Sequence, residues 1–205
     1  MHAFWRFIFD NSDPVEIEIG PGTGTFLLAA AVRAPHTNFF AIEHSRSRAT
    51  RLAAALEAHG LRNARVLAAD AACIITSLLP PAAVAAYHIY FPDPWWKRRH
   101  QRRRLFTPAL AAGLQRTLVP GGQIHLATDV TDIFTLALHA LDACTELARS
   151  RGAPPPRHGI TAFERKGLAR GATIHQASFV RRPATEAACL HTSSAAPITP
   201  AESPS

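Results

Sequence analysis

The run Val15-Glu-Ile-Glu18-Ile-Gly20-Pro-Gly22-Thr-Gly24-Thr25 contains a strand, a glycine turn and the start of a helix. Apolar residues at 15, 17 and 19 predict a short buried strand. Glycines at 20, 22 and 24 let the backbone bend sharply and approach a ligand closely. The helix expected over Thr25–Arg33 offers unpaired N–H groups at its first turn. A dinucleotide site would need Gly-x-Gly-x-x-Gly, with the pyrophosphate resting on that helix end. Here the spacing is Gly-x-Gly-x-Gly, and Thr25 stands where the third glycine would fall. Glu18 also precedes the first glycine by two residues, where a carboxylate would repel a pyrophosphate. A nicotinamide dehydrogenase is therefore the least favoured enzyme.

Outward from this turn, short apolar runs alternate with helix-length runs. Strands are expected at Val15–Ile19, Asn38–Ile42, Ala64–Ala68, Val84–Phe91 and Gln123–Thr128. Helices are expected at Thr25–Arg33, Ser45–His59, Ala71–Leu79, Thr107–Leu118 and Thr131–Asp142, with Ser45 and Thr107 as N-caps. Repeated β-α-β units predict an α/β, doubly wound, mostly parallel Rossmann-like sheet with helices on both faces. Thr173–Arg181 reads as a last, antiparallel strand at the sheet edge. Residues 1–14 form a short N-terminal segment that can simply pack against the domain, residues 15–183 the domain, and the Ala/Ser/Thr/Pro-rich stretch 184–205 a disordered tail.

The 205 residues carry a formal net charge of +7, which favours a polyanionic partner. No stretch approaches the roughly 18 apolar residues of a spanning helix, so no membrane role is expected. Three cysteines without a Cys-x-x-Cys pair argue for a reducing cytoplasm. The 11 histidines show no ligand spacing, which argues against a metal site.

Three acids mark successive strand ends. Glu18 suits a positively charged ligand group, such as the methionine end of S-adenosylmethionine. Glu43 ends the second strand, where a carboxylate accepts from ribose hydroxyls. Asp70 follows the third, placed for an adenine amino group, and reads equally as the cap of the helix from Ala71. The fourth strand ends in Tyr90-Phe-Pro-Asp93-Pro-Trp-Trp-Lys97-Arg-Arg99-His100-Gln-Arg102-Arg103-Arg104. Flanking prolines hold Asp93 at the cleft mouth. Six Lys or Arg residues then fall within eight positions, behind two tryptophans. Such groups contact phosphates and stack on unpaired bases, although a solvated basic loop and core tryptophans would read the same way.

At these residues the chain resembles the bacterial tRNA (guanine-N7-)-methyltransferase family. The resemblance rests on Glu18-Ile-Gly-Pro-Gly-Thr-Gly24, Ile42-Glu43, Asp70-Ala71, Phe91-Pro-Asp-Pro-Trp95 with Lys97, Arg99-His100 and Arg103-Arg104, Pro120-Gly-Gly122, Ala127-Thr-Asp129, and Thr161 with Phe163-Glu164. It implies a class I fold using S-adenosylmethionine and a guanosine of the tRNA variable loop as acceptor. Glu18, Gly20, Gly22, Gly24, Glu43, Asp70 and Asp93 would form the donor pocket, with Asp93 also catalytic. Lys97, Asp129, Thr161, Ala162, Phe163 and Glu164 would hold the guanosine, and Arg99, His100, Arg102, Arg103 and Arg104 the tRNA phosphates. The family often has a lysine where this chain has Ala162, and a longer segment before the first strand than the 14 residues here. Thr161 and Glu164 also have the spacing of a capping box.

Guanine N7 has an in-plane lone pair and no proton, so it needs no strong base. Positioning and charge stabilisation suffice. Asp93, with Asp129 or Glu164, is expected to accept from guanine N1–H and N2–H. The expected assembly is a monomer or homodimer acting on tRNA without an obligate protein partner. Two other readings are weighed. A small-molecule methyltransferase would not need the basic run. An RNA-binding protein with an inactive donor site would not need the row of acids.

Overall fold

A computed structural model describes residues 3–93, 105–150 and 162–183. Its elements are α1 (Ala3–Phe9), β1 (Val15–Ile19), α2 (Thr25–Arg33), β2 (Asn38–Glu43), α3 (Arg46–Ala58), β3 (Ala64–Ala68), α4 (Ala71–Cys73) with a π-helical turn at Ile74–Leu78, β4 (Val84–Tyr90), α5 (Pro108–Thr117), β5 (Leu118–Thr128), α6 (Thr131–Asp142), β6 (Leu147–Arg149), α7 (Ala162–Ala169) and β7 (His175–Arg181). The stretch 184–205, expected to be a disordered tail, lies outside the described residues.

The described strands form one seven-stranded sheet in the order β3-β2-β1-β4-β5-β7-β6. The first five run parallel, while β7 pairs antiparallel with β5 and with β6. The chain travels outward from β1 to β3, then returns to place β4 on the other side of β1. That reversal opens a crevice beyond the carboxyl ends of β1 and β4, where ligands of such sheets bind.

Alternation along each strand feeds two cores. Ile17, Phe40, Tyr87, Ile89, Ile124 and Leu126 face one side and pack with Trp5, Ile75, Leu110 and Leu114. Phe39, Ala41, Tyr90 and Ala127 face the other side and pack with Phe26 and Leu27 of α2 and Leu52 and Leu56 of α3. Every residue of β2 is buried, as a central strand covered on both faces must be. The N-terminal segment is a packed helix. Trp5 of α1 is fully buried, and its indole N–H donates to the Ala83 carbonyl at 2.6 Å.

Four expectations change in detail. The helix expected over Ala71–Leu79 widens after Cys73 into the π-helical turn, whose carbonyls are met from α5. The Arg116 guanidinium donates to the Ile75 and Leu79 carbonyls at 2.9 Å, and Gly113 leaves room for the approach. β5 begins at Leu118 rather than Gln123. Its register to β4 jumps from Val84↔Leu118 to Ala86↔Gln123, so Pro120, Gly121 and Gly122 form an irregularity inside the strand and not a turn before it. Ser45 occupies the N-cap of α3 but caps nothing with its side chain; its hydroxyl meets Ser47 Oγ instead. β7 is antiparallel as expected, but three-residue β6 covers it and takes the edge position. Thr107 does cap α5, accepting from Leu110 N–H.

Candidate functional site

The turn after β1 holds Gly20, Gly22 and Gly24, all with positive φ. Gly24 is favoured first by its backbone conformation. Its φ is +78°, and a methyl group there would collide with Leu52 Cδ1 of α3. The Leu52 side chain would have to shift aside to admit it. Gly20 N–H donates to the Ile42 carbonyl at 2.9 Å, which ties the turn to the end of β2.

Glu18 lies under this turn and is 3% exposed. Its Oε2 is buried and has no hydrogen-bond partner among the described residues. Burial pushes its carboxyl up to about 8. A hydrogen bond from the Leu27 backbone opposes the shift, and the Glu43 charge adds to it. A buried carboxylate oxygen left unbonded costs free energy unless something meets it. An ammonium group arriving at the glycine turn would satisfy that oxygen and hold the carboxyl ionised. The residues present therefore fit the methionine end of S-adenosylmethionine.

Glu43, at the end of β2, is 2% exposed. Its Oε1 accepts from Ser45 N–H at 2.8 Å and from Arg48 Nε at 3.0 Å, and Arg48 Nη2 lies 2.9 Å away. Its Oε2 accepts from Gly22 N–H at 3.3 Å, so one carboxylate braces both the glycine turn and the start of α3. Asp70 is exposed after β3 and caps α4, accepting from Cys73 N–H at 3.1 Å. The local capping role expected for it is present, on the same sheet edge as the other acids.

β4 leads to Asp93 through a strained corner. Phe91 has φ +50°, which costs a bulky residue about 1–2 kcal/mol, and its N–H is fastened to the Ala127 carbonyl at 2.7 Å. The chain then leaves the sheet, and Asp93 is exposed at the crevice. Asp129 follows β5 and is half-buried. Gly167 of α7 packs against it so closely that a Cβ there would stand 3.3 Å from Asp129 Oδ2. Glu164 is buried on the same helix. The fold thus brings Asp129 and the stretch carrying Glu164 together, although 35 residues separate them in sequence. The backbone of Ala162 and Phe163 forms the first turn of α7. Lys97, Arg99, His100, Arg102, Arg103, Arg104 and Thr161 lie outside the described residues.

Sequence reading missed Arg48 and the Phe91 corner. The only sequence signal for Arg48 is a cation five positions after Glu43. Behind the site, His88 bridges Glu16 Oε2 at 2.7 Å and Tyr90 Oη at 3.0 Å. His88 also stacks on His125, which burial, and then the neighbouring His88, lower to about 4. A separate groove of about 370 Å³, lined by Leu56, Glu57, Leu61, Arg65 and Val66 among others, sits beside the start of β3 and contains none of Glu18, Glu43, Asp70 and Asp93.

A 16S rRNA methyltransferase, KamB, shares this fold with a TM-score of 0.65 at 18% identity, over 89% of this chain and 94% of that one. The methyltransferase family Methyltransf_4 matches residues 12–177. The sheet order, the glycine turn and the acids at successive strand ends define a class I methyltransferase whose methyl donor is S-adenosylmethionine. The chain is also 35% identical over 183 residues to the tRNA (guanine-N(7)-)-methyltransferase of Halorhodospira halophila, spanning 87% of this chain and 79% of that protein. It is 36% identical over 178 residues to the protein of the same description from Thiobacillus denitrificans, spanning 85% and 78%. The chain belongs to the tRNA (guanine-N7-)-methyltransferase family.

Proposed function

We propose that the protein transfers a methyl group from S-adenosylmethionine to N7 of a guanosine in the tRNA variable loop. The observation that carries the donor half is the buried Glu18 oxygen, which has no partner among the described residues and sits at a positive-φ glycine turn. The acceptor half is supported by relatives of that description at 33–36% identity.

When bound, the donor supplies a methyl carried on a positively charged sulfur. Glu18 would hold the donor's ammonium, Glu43 its ribose hydroxyls and Asp70 its adenine edge. Asp93 stands at the end of β4, beside the crevice that the donor enters. The donor would supply its methyl to the in-plane lone pair of guanine N7 and leave as S-adenosylhomocysteine. No proton has to leave N7, so the chain's task is orientation and charge balance. Asp93, with Asp129 or Glu164, accepts from guanine N1–H and N2–H and offsets the positive charge the ring acquires. No other standard base presents that donor edge together with a free N7. Lys97 and the stretch Thr161–Glu164 would complete the guanosine pocket, and Arg99, His100 and Arg102–Arg104 would follow the tRNA backbone.

Among the described residues, no helix is long and apolar enough to cross a membrane. We infer action in the cytoplasm, as a monomer or homodimer, with tRNA as the macromolecular partner. The test is incubation with methyl-labelled S-adenosylmethionine and unmodified tRNA, followed by digestion to nucleosides. Label in N7-methylguanosine is expected. Label in any other nucleoside discards the acceptor assignment, and failure to bind the donor by calorimetry discards the donor assignment.

A further inference from the structure

Arg48 has no local reason to stand where it does. It occupies the first turn of α3, which contains no acidic residue. The helix dipole opposes a cation there by a few tenths of a kcal/mol. What explains it is across the turn. Two of its guanidinium nitrogens meet Glu43 Oε1, at 3.0 and 2.9 Å, and Ser45 N–H meets the same oxygen at 2.8 Å. Three donors therefore saturate Oε1. Among the described residues Oε2 accepts a single, longer bond, from Gly22 N–H at 3.3 Å. The Glu43 side chain is 2% exposed and that of Arg48 45%. The cation thus reaches in from the surface to a carboxylate that water barely touches. A buried carboxylate without a compensating charge is costly, and an acid with three side-chain torsions has no fixed direction of its own.

We propose that Arg48 is a positioning residue for the methyl donor. By occupying Oε1 it fixes the Glu43 carboxylate with Oε2 turned to the glycine turn, where that oxygen takes a ribose hydroxyl. The inference rests on the reading of Glu43 as the ribose acceptor.

The probes are S-adenosylhomocysteine and its 2′- and 3′-deoxy analogues, measured by calorimetry on the full chain. Arg48→Ala should weaken S-adenosylhomocysteine roughly 10- to 100-fold, the range for losing charge-assisted hydrogen bonds. Arg48→Lys should recover part of that, since an ammonium restores the charge but not the forked contact. The diagnostic is the analogue series. A missing hydroxyl that costs the parent about tenfold should cost Arg48→Ala less than threefold, because the acceptor is no longer aimed. In turnover, the loss should fall on KM for the donor, with KM for tRNA unmoved. If Arg48→Ala binds like the parent while Glu43→Gln binds weakly, the positioning role is wrong and the Glu43 reading stands. If Arg48→Ala loses the deoxy analogues as steeply as the parent does, the residue is merely structural and the proposal falls. If Glu43→Gln also binds like the parent, the ribose reading fails and takes this inference with it.

Discussion

Glu18→Gln should stabilise the donor-free protein increasingly as pH rises while destroying donor binding. Burial pushes the Glu18 carboxyl up to about 8 from its ordinary 4.5, against the pull of the Leu27 backbone and with the help of the Glu43 charge. A group raised on folding favours the folded state fully below its unfolded value. That contribution is lost as pH climbs through the window from 4.5 to about 8, because the unfolded chain releases the proton first. Each unit in that window removes about 1.4 kcal/mol, so the step from pH 5 to pH 8 removes roughly 4 kcal/mol from the free protein. Glutamine does not titrate, and its buried amide costs the same at every pH. The stability difference between variant and parent should therefore move in the variant's favour by roughly 4 kcal/mol over that range. For a chain of this size that is about 8–16 °C in Tm. Thermal melts of both proteins at half-unit pH intervals, without donor, read this directly. A second measurement uses the bound state. Because the donor's ammonium needs an ionised Glu18, binding at pH 7 should expel close to one proton, visible by calorimetry in two buffers of different protonation enthalpy. A Tm gap that stays flat between pH 5 and 8, with no proton released on binding, would show that Glu18 is already ionised in the folded protein and refute the reasoning.

Other predictions probe the remaining parts of the site and its support. Asp93→Ala should lower kcat by about 10²–10³-fold with thermal stability within roughly 0.5 kcal/mol of the parent, since the carboxylate is exposed and its proposed role is to act where charge develops; single-turnover methylation at parent rates would discard that role. Gly24→Ala should cost about 1–2 kcal/mol in denaturant melts, chiefly from the positive φ, because the Leu52 methyl it meets is the end of a flexible side chain. Trp5→Ala should cost about 3–5 kcal/mol in the same assay, because it empties a fully buried site and leaves the Ala83 carbonyl without its donor; Trp5→Phe, which keeps most of the volume, should cost less.

Much of the architecture is legible in the chain because it rests on local periodicity. Apolar runs at 15–19, 38–42, 64–68 and 84–90, separated by helix-length segments, leave few alternatives to a parallel doubly wound sheet. Glycines at 20, 22 and 24 and acids at strand ends 18, 43 and 70 point to the proposed donor pocket, since turn geometry and carboxylate chemistry are written in residue type. What tertiary structure alone decided are relations between distant residues. The widened turn at Ile74–Leu78 answers Arg116, some forty residues away. The edge of the sheet belongs to β6, too short at three residues to show a period. Asp129 meets α7 only because β7 folds back antiparallel beside β5. The spacing at Glu18 predicts a carboxylate for a cation, but its raised proton affinity comes from burial and from Glu43 on the neighbouring strand. Arg48 reads in sequence as one more surface arginine, and only the turn from β2 into α3 brings its guanidinium onto Glu43. Residue type and spacing specify which chemistry the chain can perform. Burial and through-space contact, which no local window contains, set the charge state and the aim of the groups that perform it.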